Sequence, residues 1–156
     1  MSDIDGQAVA RVAPNNCIQQ GVKVTPGDTL VLQCNATRVA TSARSFWTGV
    51  GLSFYDDSWN FISEPNPALV SYGDEFRTWQ VSGVVPEGTS NAGVWIYSEP
   101  GALVNNCELV VSDGTPPRPQ NLPLLNNPNF DEVSNSKPVG WTDFCGGSVQ
   151  SYGTGN

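Results

Sequence analysis

Two proline- and glycine-containing turns, Thr25-Pro26-Gly27-Asp28 and Val85-Pro86-Glu87-Gly88, separate runs in which apolar and polar residues alternate. Alternation with a period of two is the pattern of a half-buried strand, and turns this close together leave no room for long helices. Residues 7–12, 17–24, 29–34, 50–55, 75–82, 92–97 and 103–111 read as strands. Pro at the second and Gly at the third position of Thr25–Asp28 suit a type II turn, so 17–24 and 29–34 are expected to form a hairpin. Short strands with turn signals between them predict an all-β fold, an antiparallel β-sandwich of the jelly-roll kind. The 16 glycines, 12 prolines and low charged content of 14% fit that expectation and disfavour helical bundles.

At 156 residues the chain is one domain's worth of protein, long enough to bury a core. Fifteen acidic residues against seven basic ones give a net charge of -8. That balance lacks the cationic surface nucleic acid requires, and an anionic membrane would repel it. No stretch approaches the roughly 18 apolar residues of a membrane span, and Met1-Ser2-Asp3-Ile4-Asp5 lacks the basic and apolar regions of a signal peptide. The sequence contains no histidine, which removes Ser-His and Cys-His nucleophile pairs and the commonest zinc ligand. Cys17, Cys34, Cys107 and Cys145 are far apart and form no C-x-x-C, so disulfides in an oxidising, secreted or cell-surface setting are expected. Cys17 and Cys34 flank the Thr25–Asp28 turn almost symmetrically, which predicts a Cys17–Cys34 bridge and, by elimination, Cys107–Cys145.

Residues 112–123 form a proline-rich linker, followed by too few residues for a second core. Beyond it, Asn126-Asn-Pro-Asn-Phe-Asp-Glu132 with Gly140-Trp141 resembles the opening strand of jelly-roll, galactose-binding-domain-like carbohydrate-binding modules of families four, nine, sixteen and twenty-two. Gly6-Gln-Ala-Val-Ala-Arg-Val12, Gln20-Gly-Val-Lys-Val-Thr-Pro-Gly-Asp-Thr-Leu30, Trp79 with Val85-Pro-Glu-Gly88, and Leu103-Val-Asn-Asn-Cys-Glu-Leu109 resemble the later strands of those modules. The order is rotated: 1–113 resemble family strands three to last, and 119–156 resemble strands one and two. The resemblance implies one sandwich domain over 1–156, in which 119–156 fill the edge that 1–113 leave open. The same segment could instead fill a neighbouring copy, giving head-to-tail self-association by strand donation. Polysaccharide is the partner it implies, bound without catalysis. The competing expectation is a structural repeat of an adhesin, surface layer or filament that binds no sugar.

Three sets of residues are candidates for chemistry. The acidic pairs Asp56-Asp57, Asp74-Glu75 and Asp131-Glu132 sit in polar, loop-like surroundings, which do not raise a carboxyl pKa for general-acid work, so no enzyme activity is expected. The resemblance further implies a structural calcium held by Asp131, Asp3 or Asp5, and the Asn105 carbonyl, where the family pattern has Asp in place of Asn105. Sugar stacking needs exposed aromatic faces. If Val94 and Ile96 face the core, Trp95 and Tyr97 face the other way, Tyr55 joins them opposite Leu52 and Phe54, and Trp59 forms a rim. Trp79 and Trp141 match core positions of the family.

Overall fold

A computed structural model describes residues 9–38, 47–70, 76–112, 125, 128–130, 132–134, 137–143 and 151–153. Nine strands run along the first part of the chain: β1 Val9–Val12, β2 Asn16–Lys23, β3 Thr29–Arg38, β4 Thr48–Tyr55, β5 Phe61–Ser63, β6 Ala68–Leu69, β7 Arg77–Val84, β8 Asn91–Ser98 and β9 Ala102–Ser112. Four short ones follow: β10 Val133–Ser134, β11 Lys137–Pro138, β12 Thr142–Asp143 and β13 Ser151–Gly153. No helix occurs among the described residues.

The strands form two antiparallel sheets, β13-β1-β9-β3-β7 and β12-β2-β8-β4-β5, with β6 paired to β4 and a small β10-β11 ladder apart. Alternation decides which side chains fill the space between them. Leu30, Leu32, Cys34 and Ala36 on β3 face Val50, Leu52 and Phe54 on β4 and Val94 and Ile96 on β8 in one buried cluster. Leu125, Phe130 and Trp141, from beyond the linker, belong to the same cluster. Phe130 and Trp141 lie ring to ring at 5.0 Å. The C-terminal strands join both sheets: Thr142 pairs with Gln19 and Asp143 with Ile18 on β2, while 151–153 pair with 9–11 on β1. Trp79 packs partly buried against the core, its indole N–H donating to the Ala36 carbonyl at 3.0 Å.

The expected hairpin between 17–24 and 29–34 does not form. The turn itself is present, with Asp28 N–H donating to the Thr25 carbonyl at 3.2 Å and Gly27 at φ 91°. Yet β2 pairs with β8 and β12, whereas β3 pairs with β7 and β9 in the other sheet. The turn carries the chain across the core. The Pro86–Gly88 turn does the same between β7 and β8, and the two corners are tied by Gly27 N–H to the Val85 carbonyl and Val85 N–H to the Asp28 carbonyl, both 2.8 Å. A β-turn reverses direction, but burial of two apolar faces decides whether the next strand stays in its sheet.

The disulfide expectation fails for the same reason. Cys34 pairs across β3 and β9 with Cys107, its register partner, at a Cα–Cα distance of 4.1 Å, and the two are bonded to each other. Cys17 lies in the opposite sheet, so the Cys17–Cys34 and Cys107–Cys145 bridges are both overturned. Cys17 is disulfide-bonded as well. Cys145 lies outside the described residues.

Candidate functional site

The outer face of the β12-β2-β8-β4-β5 sheet carries rows of side chains fixed by register. Trp95 stands between Gly51 on β4 and Gln19 on β2, and Tyr97 between Gly49 and Cys17. Val94 and Ile96 are fully buried, so Trp95 and Tyr97 do point away from the core. The glycines explain the posture of the rings. A Cβ on Gly51 would overlap the Trp95 indole, and one on Gly49 would lie 2.7 Å from the Trp47 ring. Both indoles therefore pack against glycine backbone, where a side chain would displace them, and both are half-buried. A Cβ on Gly93 would meet Gln19 and Tyr55, each at 3.3 Å.

Cys17, Gln19, Trp47, Ser53, Tyr55, Phe61, Glu64, Trp95 and Tyr97 together line an open groove of about 420 Å³. Trp47 bridges the aromatic set, its ring centroid 5.9 Å from Trp95 and 5.2 Å from Tyr97. Tyr55 continues it toward Trp59 at 5.5 Å and Phe61 at 6.1 Å, the latter edge to face. Polar groups flank the rings. Trp95 Nε1–H donates to Ser53 Oγ, and Ser53 O–H donates to Glu64 Oε2, each at 3.0 Å.

Of the residues singled out in the sequence, Trp95, Tyr97 and Tyr55 meet in the groove. Trp59 stands beside Tyr55 with its indole over Gly21, outside the groove lining. Sequence reasoning missed Trp47, Phe61, Gln19 and Glu64. Trp47 has the parity of Gly49, Gly51 and Tyr55, a signal that is legible once the alternation is followed back one residue past the start of β4 at Thr48 instead of starting at Val50.

Trp59 is held by an aspartate-centred turn. Asp56 Oδ1 accepts from the Ser58 and Asn60 backbone N–H groups, and Oδ2 accepts from the Asn60 amide, all at 2.9 Å. These bonds, the Asn60 side chain foremost, hold the Asp56 carboxyl below its ordinary pKa against a smaller opposing effect of desolvation. A depressed folded pKa means that the carboxylate supports the turn above the ordinary aspartate value, and that this support is lost as pH falls through the folded value. Acidification below about pH 4 is therefore expected to loosen the turn before the sandwich unfolds. The emission difference between wild type and Trp59→Phe isolates Trp59. It should shift early in the acid titration, and Asp56→Asn should show the shift already at neutral pH. A Trp59 signal that changes only with global unfolding would contradict this role.

Glu64 is the one carboxylate among the described groove residues, whereas glycoside hydrolysis uses two. Asp56 and Asp57 belong to the β4–β5 turn, Glu132 is exposed, and Asp74, Glu75 and Asp131 lie outside the described residues. Of the calcium set, Asp3, Asp5 and Asp131 also lie outside them, and Asn105 is buried on β9. No group of three His, Cys, Asp or Glu that could hold a metal occurs among the described residues.

The fold and this face define an all-β sandwich with an aromatic groove on one outer sheet. Among solved structures it is similar to the enzymatically active domain of tailspike protein 4 from bacteriophage CBA120. The TM-score is 0.53 with 17% identity, over 66% of this chain and 15% of that one. It is also similar to the CBM22-1 xylan-binding domain of Paenibacillus barcinonensis Xyn10C, at TM-score 0.44 and 13% identity, over 58% of this chain and 62% of that one. A third likeness is to the sugar-binding C-terminal domain of EclA, at TM-score 0.44 and 10% identity, over 70% of this chain and 81% of that one. No protein-family model and no curated protein matches the chain.

Proposed function

We propose that this chain is a non-catalytic polysaccharide-binding module of a secreted or cell-surface protein, holding its ligand against the outer face of β4 and β8. The observation that carries this reading is the pair of half-buried indoles, Trp47 and Trp95, packed on Gly49 and Gly51 and lining the groove beside Gln19, Ser53 and Glu64. A pyranose offers an apolar C–H face to such a ring and hydroxyls at its rim to flanking amides and carboxylates. An open groove suits a chain passing through it. The Cys34–Cys107 bond and the bonded Cys17 support an oxidising compartment. We take 119–156 to complete the same domain, as strands one and two of the module families in rotated order; the pairing of β12 with β2 and β13 with β1 supports this closure.

Affinity electrophoresis against soluble β-glucans, xylans and algal polysaccharides tests the reading. Retardation on at least one is expected, with a dissociation constant in roughly the micromolar to millimolar range typical of a few stacking contacts. Unretarded migration on all of them leaves the sandwich as a structural repeat.

The glycine beds give a further expected result. Gly51→Val places a branched side chain where the Trp95 ring lies, so the ring must lift. Overpacking of this kind costs about 1–3 kcal/mol. Thermal unfolding should register that loss, and polysaccharide retardation should fall with it. A variant as stable and as retarded as wild type would show that the seat of Trp95 on Gly51 is unimportant.

A further inference from the structure

Building on the carbohydrate reading, we infer that Glu64 gives the groove a charge preference: on one backbone it binds an amine-bearing glycan ahead of the neutral one and a carboxylated glycan last. Among its described residues the groove brings five aromatic rings, those of Trp47, Tyr55, Phe61, Trp95 and Tyr97, together with one carboxylate, Glu64. Aromatic faces attract cations through their quadrupole as well as sugar C–H groups through contact. Glu64 is positioned for the same task. Ser53 links its Oε2 to the Trp95 indole N–H, so the carboxylate is held at the edge of the ring on which a pyranose would lie. Among the described residues no hydrogen bond engages its Oε1.

No lysine or arginine is among the described residues lining the groove, and the sequence has no histidine. Lys23 shares the outer face of β2 but lies beyond Gly21, which the Trp59 ring covers. The net charge of -8 adds a field of the same sign as Glu64. A protonated 2-amino group at the rim of a stacked ring would meet a carboxylate and, among the described lining residues, no competing cation. A uronic carboxylate in the same groove would meet like charge and, among the described lining residues, no counter-ion.

Three β-1,4-linked oligosaccharides of equal length separate these cases on one backbone: glucose units, 2-amino-2-deoxyglucose units, and glucose units oxidised to the carboxylate at C6. Titration calorimetry of the full chain in mildly acidic buffer, where the amine is protonated, should give the order amine, neutral, carboxylate. Each step should be roughly two- to fivefold, as for a solvent-exposed ion pair. Glu64→Gln preserves shape and the acceptor for Ser53 and should compress that spread. Glu108→Gln removes an exposed carboxylate from β9, in the opposite sheet, and should leave the order intact. Binding of all three without this order, or an order that Glu64→Gln leaves unchanged, overturns the inference while the carbohydrate reading stands. Absence of binding to all three overturns it as well, and the wider polysaccharide panel then decides the carbohydrate reading separately.

Discussion

Trp95→Ala is expected to weaken polysaccharide binding at least about tenfold. An aromatic stack contributes about 0.5–1.5 kcal/mol beyond the area it buries, and 1.4 kcal/mol is a factor of ten in affinity. Trp95 is central on this face: it lies on Gly51, neighbours Gln19, contacts Trp47 at 5.9 Å and, through Ser53, orients Glu64. The same substitution uncovers Gly51 and removes the donor to Ser53, at a cost of about 1–2 kcal/mol for a half-buried surface ring. A domain with about 5–15 kcal/mol of stability survives that loss, so binding and folding can be read separately. Trp95→Phe keeps a ring and loses the N–H, and should recover part of the affinity. Undiminished binding by a cooperatively folded Trp95→Ala protein would remove the groove from the function.

Removing residues 119–156 is expected to abolish cooperative folding. Phe130 is fully buried and Leu125 and Trp141 nearly so, all within the main core. Truncating a buried Phe or Trp costs about 3–5 kcal/mol each, so losing both aromatics and Leu125 matches or exceeds the stability of a typical domain. The deletion also strips β13 from β1 and β12 from β2, opening an edge on each sheet at once. The fragment should aggregate or show no thermal transition, and in the full chain Phe130→Ala alone should lower the melting temperature by many degrees. A soluble 1–113 fragment with a sharp transition would contradict a single closed domain.

The strand pattern was legible because period-two alternation survives wherever one sheet face is core. All seven expected strands appear, with ends moved by a few residues, from β1 at Val9–Val12 to β9 at Ala102–Ser112. What the sequence does not encode locally is which sheet each strand joins. Thr25–Asp28 has the chemistry of a hairpin turn, yet a turn with Gly27 at positive φ serves equally well as a corner between sheets. The erroneous cysteine pairing followed directly from that local ambiguity. Long-range register instead sets Cys34 opposite Cys107, across 73 residues of sequence.

The candidate site divides in the same way. Trp95, Tyr97 and Tyr55 follow from parity within one strand each. Glu64 and Gln19 reach the groove only because β2, β8 and β4 lie side by side and the segment after β5 turns back over Ser53. No local pattern marks them. The short β5 and β6 were missed because two or three residues carry too little alternation to be distinguished from loop.

The central claim is that a polysaccharide lies on the outer face of β4 and β8. Its most direct test is a two-dimensional ¹H–¹⁵N NMR titration with a soluble oligosaccharide of whichever polysaccharide retards the protein most, or of each class tested if none does. The account predicts shifts concentrated at the Trp47 and Trp95 indole N–H groups, the Gln19 side-chain amide and the backbone of Gly49, Gly51 and Gly93, with β3, β7 and β9 unmoved. Spectra that do not change, or changes confined to the β3-β7-β9 sheet, would contradict it.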